Sequence, residues 1–77
     1  MYTAMLSLPS IEIVKKFVSV ANDFEFPISL LSDKYKIDAK SIMGIFSLDL
    51  SKPVKLQVES GYDDKFIQAI AQFKVEE

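Results

Sequence analysis

Two serines and a pair of aspartates are the side chains whose type and position could do chemistry in this sequence. Ser10 opens "SIEIVKKFVSVANDF", and Ser41 opens "SIMGIFSL" directly after Lys40. A hydroxyl just ahead of a periodic apolar run is placed to cap a helix, accepting a hydrogen bond from an orphan amide of the first turn. The same place suits an added phosphate, because free amides and the helix dipole favour negative charge there. Asp63 and Asp64 would serve a hydrolase only if two carboxylates faced each other across a pocket. As sequence neighbours in a first helical turn they are placed to favour its dipole instead. The chain contains no histidine and no cysteine. It therefore has no imidazole to move a proton, no imidazole or thiolate to hold zinc, and no disulfide. No cofactor or metal is expected.

These residues must be positioned by the elements around them. Residues 2–8, "YTAMLSL", are half apolar and run into a proline, which predicts a strand. From Ser10 onward, Ile11, Val14, Phe17, Val18 and Ala21 share one stripe, with Lys15, Ser19 and Asn22 opposite. That pattern predicts an amphipathic helix, and Glu12 in its first turn suits the dipole. In "FPISLLSDKYKID", Phe26, Ile28 and Leu30 alternate, Ser32, Asp33 and Lys34 turn, and Tyr35 and Ile37 resume, predicting a hairpin. "PVKLQV" alternates Val54, Leu56 and Val58 behind Pro53, where a missing amide is tolerated. In "SGYDDKFIQAIAQFKV", Ser60 and Asp63 resemble a capping box, ahead of a final helix with the stripe Tyr62, Phe66, Ala69, Ile70 and Phe73. Strand, helix, hairpin, short helix, strand, helix is an α+β order, with helices laid on one face of a mainly antiparallel sheet.

At 77 residues the chain can bury one core but not two, so residues 1–77 are read as a single domain. A hydrophobic content of 49% sets it apart from disordered chains, and with no disulfide or zinc its stability must come from packing. A net charge of -2 with scattered lysines offers no basic face, which argues against nucleic acid. No apolar run approaches the roughly 20 residues that span a bilayer, and "MYTAMLSLPS" lacks the positive region of a secretory signal. A cytoplasmic protein without a membrane partner is expected.

The stretch "KSIMGIFSLDL" raises the sharpest question, with six large apolar side chains in eleven positions. At helical spacing Ile42, Met43 and Phe46 fall within about a 100° arc, while Ile45 and Leu48 lie on the other side. A helix on a sheet buries one face, so the other meets a second element or stays exposed for a partner. Gly44 costs about 1 kcal/mol relative to alanine in a helix, which close packing would explain.

"DAKSIMGIFSL", preceded by the hairpin and followed by "PVKLQV" and an acidic-capped final helix, resembles HPr, the small phosphocarrier family of the bacterial sugar phosphotransferase system. Element order and spacing agree over nearly the whole chain, and "KSIMG" is the specific part. The resemblance implies an open-faced sandwich of four antiparallel strands with three helices on one side. It implies that Ser41 matches the serine phosphorylated by a regulatory ATP-dependent kinase in many Gram-positive bacteria. Ile42, Met43 and Phe46 would match the family's exposed docking patch.

The carrier site itself departs from the family pattern. An HPr carries phosphate on a histidine just before its first helix, with an arginine two residues later and then a proline. Those positions fall on Ser10, Glu12 and Ile13, and the chain has neither histidine nor arginine. A phosphoserine ester would trap a phosphoryl group that a labile phosphohistidine passes on, and Glu12 would repel the phosphate an arginine would bind. The expectation is therefore a non-enzymatic regulatory or adaptor member, docking through the short helix and switched by phosphorylation of Ser41. Its protein partners would be a serine kinase, a transcription regulator or phosphotransferase components, and it would be a monomer or weak homodimer. The alternatives are a phosphocarrier working in an unusual way, a hydrolase using Asp63 and Asp64, and a degenerate domain with no surviving partner.

Overall fold

Apolar periods of two and of 3.6 residues sort this chain into strands and helices. The computed structural model describes residues 1–32 and 35–75; Asp33 and Lys34, the middle of the expected hairpin turn, lie outside the described residues. The elements are β1 (Tyr2–Leu6), α1 (Ile11–Asn22), β2 (Ser29–Ser32), β3 (Tyr35–Asp38), α2 (Ile42–Phe46), β4 (Val54–Val58) and α3 (Asp64–Ile70), followed by a 3-10 turn at Ala71–Phe73. Among the described residues the strands form one antiparallel sheet in the order β1-β4-β2-β3.

Alternation assigns the two faces of that sheet. Leu6, Leu30, Val54, Leu56 and Val58 are buried in one cluster with Val14, Phe17 and Ala21 of α1, Ile45 of α2, and Phe66 and Ile70 of α3. Lys36 and Lys55, which point the other way, are exposed. The three helices therefore cover one face and leave the other open. Each fully buried large side chain contributes about 1.5–3 kcal/mol of transfer free energy, and such burial is the dominant stabilising term.

Several boundaries differ from the sequence pattern, each for a physical reason. The first strand ends at Leu6 and not at residue 8, because Leu6 pairs with Val54 and the next residue of that partner, Pro53, has no amide to continue the ladder. The Ser7 amide donates instead to the Phe73 carbonyl (2.8 Å), and the Val75 amide donates to the Met5 carbonyl (3.0 Å). The segment after the 3-10 turn thus covers part of the outer edge of β1, which limits edge-to-edge pairing. Ile11 was expected on the buried stripe of α1 but is 62% exposed. At about 100° per residue it lies roughly 90° from the centre of the buried trio Val14, Phe17 and Ala21, and Val18, nearer that centre, is half-buried.

The last helix is capped by Asp63, whose Oδ1 accepts the Phe66 amide at 3.0 Å, and not by the expected box beginning at Ser60. Tyr62 precedes the helix, with its ring 5.6 Å from that of Tyr2. Gly61 makes this entry possible. Its φ of 88° is left-handed, and an added Cβ would stand 3.1 Å from the Cβ of Phe26. The rings of Phe24 and Phe26 meet Phe66 edge-on at 5.2 and 5.1 Å, and Phe17 meets Phe73 in the same way at 5.4 Å. Edge-to-face pairs of this kind add about 0.5–1.5 kcal/mol beyond burial.

Candidate functional site

Both helix-opening serines act as caps. Ser10 is extended (φ -141°, ψ 161°), and its Oγ accepts the Ile13 amide at 3.2 Å. Ser41 (φ -98°, ψ 104°) accepts the Gly44 amide at 3.2 Å through Oγ and the Ile45 amide at 3.1 Å through its carbonyl. Both serines are exposed. A Cβ on Gly44 would lie 3.3 Å from Ser41 Oγ, so the glycine makes room for the capping hydroxyl, and it closes toward Ile37 only beyond that.

Lys40 does more than adjoin Ser41. Its amide donates to Asp38 Oδ1 at 2.8 Å, and its ammonium donates to the Phe24 carbonyl at 2.6 Å. The lysine therefore ties the chain just beyond the C-terminus of α1 to the turn that leads into α2. A charge-assisted bond to a carbonyl is among the stronger hydrogen bonds. No local pattern announces this contact, because its partners are 16 residues apart.

The two faces of α2 separate as follows. Ile45 is fully buried and Leu48 is 8% exposed, whereas Met43 is 77% and Phe46 39% exposed. Ile42 is half-buried against the core cluster, between the two faces, and is not fully presented to solvent as the docking patch would require. It lies about 60° from Ile45 around the helix, near enough to share its contacts. α1 packs against α2, and its first residue, Ile11, is exposed as well. The turn after α2 is closed by Asp49, whose Oδ1 accepts both the hydroxyl and the amide of Ser51. These two bonds, with the nearby Lys52 cation, hold the Asp49 carboxyl below its ordinary 3.8.

The carboxylates considered for hydrolysis have structural work. Asp63 caps α3, and Asp64 follows it in the first turn. Among the described residues no group of three or more histidine, cysteine, aspartate or glutamate side chains converges as a metal site. No helix among them is long and apolar enough to cross a membrane.

A four-stranded antiparallel sheet with three helices on one face, and a serine-capped short helix showing apolar side chains to solvent, define an HPr-like α+β sandwich. The structure is similar to that of HPr-C-His from Thermoanaerobacter tengcongensis, at 30% identity with a TM-score of 0.79, covering 94% of this chain and 89% of that one. It is also similar to the phosphocarrier protein HPr from Bacillus anthracis str. Ames, at 26% identity with a TM-score of 0.72, covering 96% and 94% of the two chains. No curated protein matches the chain. The family model described as "PTS HPr component phosphorylation site" matches residues 12–76, and the chain belongs to that family.

Proposed function

We propose that this chain is a regulatory or adaptor member of the HPr family that does not carry phosphate on histidine. It binds protein partners through α2, and Ser41 is its position for regulatory phosphorylation. The observation that carries this reading is the pairing of an absent imidazole with exposed apolar side chains on α2. Ser10 stands where the family resemblance puts the carrier histidine, and its hydroxyl is engaged as a helix cap. A phosphate ester formed there would be too stable to hand on, and Glu12 in the same turn would oppose its charge.

Phosphate on Ser41 would meet the first amides of α2 and add about two negative charges beside Met43. Its effect would be on partners more than on the fold, disfavouring an acidic or apolar partner and favouring one that presents arginines. The partners are proteins: phosphotransferase components, a serine kinase or a transcription regulator. A cytoplasmic setting suits all of them.

Two assays test the reading, each with an authentic HPr alongside. With phosphoenolpyruvate and the first enzyme of the phosphotransferase system, this chain is expected to take up no acid-labile phosphate; uptake at the level of the control overturns the non-carrier assignment. With the family's serine kinase and ATP, mass spectrometry is expected to find phosphate at Ser41 and none in Ser41→Ala. An unmodified chain beside a fully modified control would remove the switch and leave a docking fold.

A further inference from the structure

The side of the sheet that the helices leave open carries an ordered row of its own. Register places Met5 opposite Lys55, Lys55 opposite Leu31, and Leu31 opposite Lys36, so that apolar and cationic side chains alternate across all four strands. Met5 is 48% exposed, Leu31 is half-buried, and both lysines are exposed. Beside this row, Lys52 and Pro53 close a depression of about 370 Å³ that Met5, Leu31 and Lys55 also line. Asp49 lies near Lys52 and offsets part of its charge. Among the described residues, Asp38 belongs to the neighbouring row, opposite Ser29, and Glu59 follows β4 two residues beyond Gln57, so these two carboxylates lie outside the row itself.

From this alternation of cationic and apolar side chains we infer that the open face docks an acidic segment of a partner protein, one whose large apolar side chains lie between carboxylates. The carboxylates meet Lys36, Lys52 and Lys55, while the apolar side chains settle on Met5, Leu31 and Pro53. Cations round an apolar floor steer an anionic partner and fix its register. In a chain of net charge -2, Lys52 and Lys55 both line this depression, and Lys36 stands in the same row one strand beyond Leu31, where it lines a second hollow with Glu59. The surface lies on the side of the sheet opposite α2, and it stands or falls independently of docking through that helix.

Nitrogen-15 amide spectra recorded while adding the peptide acetyl-DELEFEDL-amide test this. Shifts are expected at Met5, Leu31, Lys36 and Lys55, with the amides of Met43 and Phe46 unmoved. The double variant Lys36→Glu/Lys55→Glu, and separately Lys52→Glu in the turn before β4, should each weaken binding by about three- to tenfold. Salt at about 1 M, where the Debye length is about 3 Å, should weaken it as well. The proposal is overturned by an absence of shifts at millimolar peptide, by shifts centred on α2, or by an equal response to a peptide with serine in place of its leucines and phenylalanine. It is equally overturned if phosphatidylglycerol vesicles bind where the peptide does not, or if the same amides shift with protein concentration alone, since a membrane or a second copy would then be the occupant.

Discussion

At the scale of single residues, the glycines show how differently one residue type can be used. Gly44 accommodates a capping hydroxyl within an ordinary helix, whereas Gly61 adopts a left-handed φ against the Phe26 side chain. Gly61→Ala therefore adds a conformational penalty to a steric one, and urea denaturation should show a loss of about 1–2 kcal/mol or more. An unchanged midpoint would mean that the backbone relaxes out of the left-handed region at no cost. Asp49 gives a second residue-level prediction. Its carboxyl is held below 3.8 by the Ser51 hydroxyl and amide, with help from Lys52. A depressed carboxylate contributes stability that is present above its unfolded value and lost as pH falls through the folded one. An NMR titration should thus place the Asp49 midpoint below 3.8, and Ser51→Ala should move it back upward.

The short helix α2 is the element on which the proposed function and the folding meet. Five residues are too few to form a stable helix in water, so α2 exists because Ile45 is buried, Ser41 caps it and Lys40 fastens its approach to Phe24. Ile45→Ala should cost about 2–5 kcal/mol as a cavity in the core, whereas Met43→Ala, at a site 77% exposed, should change stability by less than about 0.5 kcal/mol. If α2 is the docking element, the second variant loses partner binding while keeping the wild-type melting temperature. Isothermal titration with a captured partner and thermal denaturation separate the two effects. A Met43→Ala protein that melts far below wild type would mean that this side chain supports the fold.

For the whole molecule, the aromatic corner is the point of greatest leverage. Phe66 is fully buried and meets Phe24 and Phe26 edge-on, with Tyr2 6.3 Å away, so one ring joins β1, the segment after α1, and α3. A chain of 77 residues is expected to have about 4–12 kcal/mol of total stability, on the scale of small domains. Phe66→Ala should remove about 3–5 kcal/mol of that. The melting temperature should then fall steeply, and with a total stability toward the low end of that range the variant loses its near-ultraviolet circular dichroism at physiological temperature, while Phe66→Leu should show a smaller drop. Retention of the wild-type melting temperature in Phe66→Ala would contradict this account of the core.

Local pattern was enough to determine the elements, their order and the two caps that open α1 and α2. A hydroxyl ahead of an apolar run acts on amides three residues away, and alternation along a strand needs no knowledge of its partner. The family likeness was legible in "KSIMG", and the lack of any imidazole in this sequence follows from composition alone. Other features depend on residues that are distant in sequence. Whether Ile11 or Ile42 is buried depends on where the sheet lies relative to each helix, and the end of β1 depends on an absent amide at Pro53. The Asp63 cap displaced the expected box at Ser60 because Gly61 and Phe26 set the path of the chain into α3. The Lys40 staple and the row Met5, Lys55, Leu31, Lys36 required the tertiary structure for the same reason: each is assembled from segments that only the packed core brings side by side.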